Sequence, residues 1–198
     1  GIFAGDLFNE PKSRLGWNIL LASVPAGLAG LFLYDLVEKI FHSPISTSII
    51  LFCTAAILVC ADHFGKGDRT IEEVSWIDAI WIGFSQALAI FPGISRSGAT
   101  ISMGMMRKLG RKASARFSFL MSIPIMLAAG FLSIIKLFSM PDVSGFLPIL
   151  FLGFIISAIV GYLAIHWLLH FLSRHSLRTF AFYCVGLGMI TIIITYVS

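Results

Sequence analysis

Charge is scarce in this chain. Only 12% of its 198 residues are Asp, Glu, Lys or Arg, about half of the roughly 25% typical of soluble domains. With 58% hydrophobic residues and a mean hydropathy of +0.93, the composition excludes an ordinary soluble domain and predicts an integral membrane protein. Cysteine is equally thin: Cys53, Cys60 and Cys184 are odd in number and lack C-x-x-C spacing. That excludes a disulfide framework and a cysteine zinc site, and predicts three bland, buried thiols. A secretory leader is also missing, because the opening GIFAGDLFNEPKSR has no basic n-region, long apolar h-region or small-residue cleavage site. The first residue is Gly1 rather than Met, which predicts a natural start further upstream. The net charge of +4 does not imply nucleic acid, since the basic residues are spread along loops that flank apolar runs.

What the sequence does have is apolar runs near the roughly 20 residues that cross a bilayer. Five predict helices, at about Leu15 to Tyr34, Pro44 to Ala61, Arg116 to Leu137, Phe146 to Leu172 and Thr179 to Val197. Between the second and third lies a different unit, about 76–108. Its apolar run from Trp76 to Phe91 and the later ATISMGMMRK are each too short for a crossing, so together they predict a re-entrant hairpin. Lys and Arg positions test this, because they set orientation in short loops. If the unit returns to its own side, Lys12, Arg14, Lys66, Arg69, Arg107, Lys108, Arg111, Lys112, Arg116, Arg174 and Arg178 all share the cytoplasmic face. Only Lys39 and Lys136 then fall opposite, with Arg96 inside the membrane. The expected fold is all-α, a polytopic membrane helical bundle of one domain over 1–198 with a broken-helix hairpin.

SVPAGLAGLFL at Ser23 to Leu33 and SIPIMLAAGFL at Ser122 to Leu132 echo each other, consistent with half of a repeat architecture. Small residues at four-residue spacing, Ala22, Ala26 and Gly30 and again Gly153, Ser157 and Gly161, predict close helix-packing faces.

The stretch FPGISRSGAT, Phe91 to Thr100, lies at the hairpin tip. Irregular backbone at membrane depth is tolerated only where protein or a water-filled cavity satisfies it, so Pro92-Gly93 implies a cavity. Ser95 or Ser97 can cap the helix that restarts near Gly98, aiming free N–H groups and the positive helix end at the tip. Arg96 is expensive inside a membrane and needs an anion or an aqueous cavity. Its planar fork suits a phosphate, with Ser95, Ser97 and Thr100 supplying hydroxyls and Gly93, Gly98 and Gln86 completing the candidate site. The bland alternative is an arginine that ties two broken helices together through backbone carbonyls.

The signature Pro92-Gly93-Ile94-Ser95-Arg96-Ser97-Gly98-Ala99-Thr100 resembles the PGxSRSGxT motif of the bacterial undecaprenyl-diphosphate phosphatase family, the bacitracin-resistance phosphatases. ARFSFLMSIP at Ala115 to Pro124 and SVPAGLAGLF extend the resemblance over nearly the whole chain. It implies a multi-pass enzyme of the bacterial plasma (inner) membrane that hydrolyses the C55 isoprenoid diphosphate to its monophosphate and phosphate for cell-wall synthesis. It further implies paired re-entrant hairpins, a site facing the periplasm, and a divalent cation, Mg or Ca. Arg96 occupies the position of the diphosphate-binding arginine, while Ser95, Ser97 and Thr100 line the same pocket. The family's first signature, which carries the carboxylates, the proposed serine nucleophile and the histidine, has no counterpart here and is expected upstream of Gly1. The metal ligands are therefore not expected in this chain.

Among the residues present, Ser95 or, after it, Ser97 is the candidate nucleophile beside Arg96. A hydroxyl nucleophile needs a base within about 3 Å, yet His42, His63, His166, His170 and His175 are all remote from the motif in sequence. His166 and His170 share a helix face but lack a carboxylate or third ligand, and Asp68, Glu72 and Glu73 read as a solvated patch. Expected partners are the isoprenoid diphosphate lipid and membrane lipids, with a homodimer left open and no nucleic acid. Two other functions make the same demand on Arg96: a polyprenyl-phosphate transporter or flippase, and a non-catalytic remnant that only binds lipid phosphate.

Overall fold

The computed structural model of the chain describes residues 11–33, 37, 43–138 and 143–197. Tyr34, Lys39 and His42 lie outside them, as do the side chains of Lys12, Lys136 and Arg174. Among the described residues seven α-helices carry the fold: α1 (Pro11–Phe32), α2 (Pro44–Phe64), α3 (Trp76–Leu88), α4 (Arg96–Met106), α5 (Arg111–Leu137), α6 (Val143–Arg174) and α7 (Arg178–Val197). Five of them, α1, α2, α5, α6 and α7, are long and apolar enough to cross a membrane. At about 1.5 Å per residue, the 13 residues of α3 and 11 of α4 give arms of about 20 and 16 Å, too short to span.

The helix starts are written in the sequence. Ser43 caps α2 by accepting the Ser46 N–H, with Pro44 in the first turn, where a missing N–H costs nothing. Ser75 and Asp78 form a reciprocal box at the head of α3. The Asp78 N–H donates to Ser75 Oγ at 3.2 Å, and the Ser75 N–H donates to Asp78 Oδ2 at 3.0 Å. In the preceding loop, the Thr70 N–H and hydroxyl donate to Glu73 at 2.6 and 2.9 Å and hold its carboxyl below the ordinary value.

Both ends of the hairpin meet at one end of the bundle. Asp78, fully buried at the start of α3, takes Arg107 Nε at 2.9 Å from the end of α4 and Arg69 Nη2 at 2.8 Å from the loop. Arg69 also donates to the Arg107 carbonyl at 3.0 Å. The hairpin therefore returns to the side it left. Nearby, Asp62 at the end of α2 gathers Arg111 at 2.7 Å and Arg178 at 3.3 Å, along with the Ser176 hydroxyl at 2.7 Å. These basic loop residues clamp the helices to one another.

Between these clamps and the tip, α4 packs among α2, α3 and α5, while α1 lies along α3 and α2 along α7. One apolar cluster joins Leu58, Ile101, Met105, Leu172 and Leu177, and the other joins Ala22, Ile82, Phe117 and Met121. Ala22 is fully buried, and a Cβ on Gly83 would sit 2.5 Å from its carbonyl, so α1 and α3 touch backbone to backbone as the small-residue spacing predicts. α1 also meets α5, with the Ser23 hydroxyl 3.4 Å from the Met121 carbonyl.

Two expectations are corrected. Cys53 and Cys60 are exposed on α2, and only Cys184 is buried, because an apolar residue on a membrane helix is equally at home facing lipid. The Gly153, Ser157 and Gly161 stripe makes no close packing face among the described residues: a Cβ on Gly153 or Gly161 would meet nothing within 4 Å, and the most apolar stretch of α6 has no buried residue.

Candidate active site

The break between α3 and α4 depends on a single glycine and a neighbouring helix. Gly93 has φ +95°, a conformation that L side chains rarely adopt, and a Cβ there would lie 2.7 Å from the Thr47 carbonyl. Thr54 of α2 donates its hydroxyl to the Gly93 carbonyl at 2.9 Å, meeting a backbone acceptor that the hairpin itself leaves open. The irregular turn is thus seated on α2 at Thr47 and Thr54.

The chain then re-enters a helix at Arg96. Ser95 is extended and caps α4, its Oγ accepting the Gly98 N–H at 3.1 Å, with Ser97 Oγ 3.5 Å away. Arg96 is half-buried, and its guanidinium makes no hydrogen bond or ion pair with any described residue. The bland alternative, an arginine tying the broken helices through carbonyls, therefore has no bond to support it among those residues.

Beside this turn lies a cavity of about 310 Å³. Gly93, Ser95, Ser97 and Gly98 form its polar mouth, and Leu58, Ile101, Leu172, Phe180 and Tyr183 supply apolar walls. Arg96 belongs to the same turn but is not part of the wall. Thr100 and Gln86 are also absent from it. Thr100 is 1% exposed, and its hydroxyl lies 2.8 Å from the Arg96 carbonyl and 2.6 Å from Ser118 Oγ, locking α4 to α5. Gln86 is 3% exposed, with neither Oε1 nor Nε2 partnered among the described residues. A buried amide without partners costs about 1–3 kcal/mol and calls for a ligand or water.

Sequence reading passed over Thr54, Ser118, Asp62 and Asp78. Thr54 was the isolated polar residue in ILFCTAAIL, Ser118 lay between two phenylalanines in FSF, and Asp78 closes the Ser75-x-x-Asp78 box ahead of an apolar run.

No base lies at hydrogen-bond distance from Ser95 among the described residues. His63 meets Phe64 edge-on, while His166 stacks on Tyr162 and His175 on Phe171. No three His, Cys, Asp or Glu side chains converge among the described residues. The tip offers hydroxyls and a guanidinium, a donor set that fits phosphate oxygens and does not fit a divalent cation, which takes carboxylate and carbonyl oxygens.

The profile of the family described as "Bacitracin resistance protein BacA" matches residues 2–190. Among curated proteins, the chain is similar to an undecaprenyl-diphosphatase of Methanosphaera stadtmanae, 40% identical over 99% of this chain and 70% of that one. It is also similar to undecaprenyl-diphosphatases of Kineococcus radiotolerans, 35% identical over 92% of this chain and 64% of that one, and of a Mycobacterium species, 37% identical over 91% and 66%. The chain thus spans about two thirds of the length of these relatives.

Proposed function

Because the chain belongs to the Bacitracin resistance protein BacA family, we propose that it hydrolyses undecaprenyl diphosphate to undecaprenyl phosphate and phosphate, recycling the carrier lipid for peptidoglycan synthesis at the bacterial plasma membrane. The observation that carries this reading is Arg96, a half-buried guanidinium with no partner among the described residues, one residue from the polar mouth of an otherwise apolar cavity. A diphosphate on an isoprenoid chain has that same division between a charged head and an apolar tail.

In the reaction, an oxygen nucleophile attacks the terminal phosphorus, the bridging P–O bond breaks, and the bridging oxygen leaves on the prenyl monophosphate. Arg96 holds nonbridging oxygens and offsets the charge that grows on them. The Ser97 hydroxyl and the open N–H groups of the first turn of α4 add donors, with Gly93 letting the turn seat against Thr47 and Gly98 letting Ser95 close over the start of the helix. Ser95 fixes that turn as its cap. Attack by Ser95 itself would need a base, and none of the described residues supplies one at hydrogen-bond distance. Thr100 supports the site from behind by holding α4 against Ser118.

Gln86 is the second phosphate-side group of the proposal, since its unpartnered amide lies three residues before the break. Gln86→Met keeps the volume and removes both polar atoms. The expected result is a roughly tenfold loss of phosphate release with a melting temperature equal to or above wild type, because an unsatisfied buried amide does not stabilise the fold. A fall in melting temperature with unchanged turnover would assign Gln86 to structure alone.

The transporter and the remnant readings also need Arg96, but the relatives' names favour hydrolysis. The protein expressed from its own full coding sequence separates the three in detergent, where there are no leaflets to cross. Phosphate and undecaprenyl monophosphate should appear together in equal amounts. Bound lipid diphosphate with no phosphate release would overturn the proposal.

A further inference from the structure

A second cavity, of about 510 Å³, opens at the end of the bundle where the hairpin begins and ends. Its size lies within the roughly 300–1,000 Å³ range of small-molecule sites. The loop after α2 and the 3₁₀ turn Ile71–Glu73 form one wall, and the first residues of α5 form the other. Leu172, near the end of α6, adds an apolar contact.

The charges around this cavity fall into two groups. Arg69 and Arg111 are committed, to Asp78 at 2.8 Å and Asp62 at 2.7 Å, and form fixed walls. Asp68, Glu72, Lys112 and Arg116 are exposed and make no ion pair or hydrogen bond with one another or with any other described residue, although all four line the same cavity. Two cations and two carboxylates are thus held around one space, separated beyond ion-pair distance. Lys112 and Arg116, four residues apart, share a face of α5.

The membrane span of α5 begins at Arg111 and that of α6 ends at Leu172, so the cavity sits at head-group depth. A ligand arriving there from the bilayer brings its apolar part toward the span and its polar part into the cavity. We propose that this cavity binds a zwitterionic phospholipid head group carrying a primary ammonium, with its phosphate on Lys112 and Arg116 and its ammonium on Asp68 and Glu72. A primary ammonium can donate hydrogen bonds to both carboxylates, whereas a quaternary ammonium has none to give. A purely anionic head group would satisfy the two cations and leave the carboxylates facing like charge. This cavity has only Leu172 in common with the one beside the Arg96 turn, and none of its charged residues lines that one.

The test is lipid retention, read by native mass spectrometry on the full-length protein after exchange into mixed micelles with equal amounts of phosphatidylethanolamine, phosphatidylcholine and phosphatidylglycerol. Phosphatidylethanolamine should be retained at least about fivefold over each of the others. In Lys112→Gln/Arg116→Gln, retention of all three should fall to a common background. In Asp68→Asn/Glu72→Gln, the preference should pass to phosphatidylglycerol, because the cations remain. All four side chains are exposed, so both variants should melt with the wild type. Preferential retention of phosphatidylglycerol by the wild type would overturn the proposal in favour of a simple cationic patch. Equal retention of the three lipids would overturn it in favour of a solvated loop.

Discussion

Arg96→Ala should lower phosphate release from undecaprenyl diphosphate by about 10²–10³-fold, the cost of removing one preorganised donor aimed at developing charge. Arg96→Lys should recover part of that loss, because it restores the charge without the fork that grips two phosphate oxygens at once. Neither change should lower the melting temperature, since the Arg96 guanidinium has no partner among the described residues to lose. This separation of activity from stability is what distinguishes a ligand-binding arginine from one that ties helices together. The measurement is kcat and KM for the full-length protein in detergent, alongside thermal unfolding of the same preparations. Turnover within a few-fold of wild type in Arg96→Ala would remove the phosphate-binding assignment. A melting temperature that falls in parallel with activity would return the residue to the bland alternative.

The hairpin was legible because several independent signals agreed on it. The arms were too short to cross, Pro92-Gly93 interrupted them, and the basic residues balanced only if the unit returned to its own side. The structure places the break at residues 89–95 and begins α4 at Arg96, two residues ahead of the expected restart near Gly98, because Ser95 rather than Ser97 is the cap. What pairs with what was less legible. Asp78 is a single acid in WIDAIW, and its partners lie 9 and 29 residues away, so no local spacing could join them. Thr54 reached the site the same way, from another helix and 39 residues upstream of Gly93. Burial was misread where the solvent is lipid: Cys53 and Cys60 looked buried and are exposed, and the α6 stripe looked like a packing face and has open space beside Gly153 and Gly161, since an apolar surface gains little by hiding from hydrocarbon. Of the seven candidate site residues, four line the tip cavity. Arg96 shares their turn, and Thr100 and Gln86 are buried and do not line the cavity.

Asp78 should matter more to the fold than any other single acid among the described residues, because it is fully buried and holds both ends of the hairpin together. Breaking a buried ion pair by removing one partner typically costs about 3–5 kcal/mol. Arg69 and Arg107 are each about a third exposed, so water would compensate them in part, and about 2–3 kcal/mol is the reasonable expectation for Asp78→Ala. That corresponds to a fall of roughly 4–12 °C in melting temperature for a protein of this size. Asp68→Ala, an exposed carboxylate in the adjoining loop, should change stability by no more than about 0.5 kcal/mol in the same detergent. Asp78→Ala should also reduce phosphate release at temperatures where the protein is still folded, through the spacing of the arms: α3 and α4 carry the tip between them, and a splayed base moves Arg96 away from the cavity mouth. A displacement of about 1 Å at a reacting centre can cost on the order of 10²-fold in rate. Arg107→Met should reproduce much of both effects, and the double variant should be less destabilised than the sum of the two single ones, because each removes the same pair. Additive single effects, or an Asp78→Ala melting temperature equal to that of Asp68→Ala, would show that the base of the hairpin is held by its apolar contacts and its backbone alone.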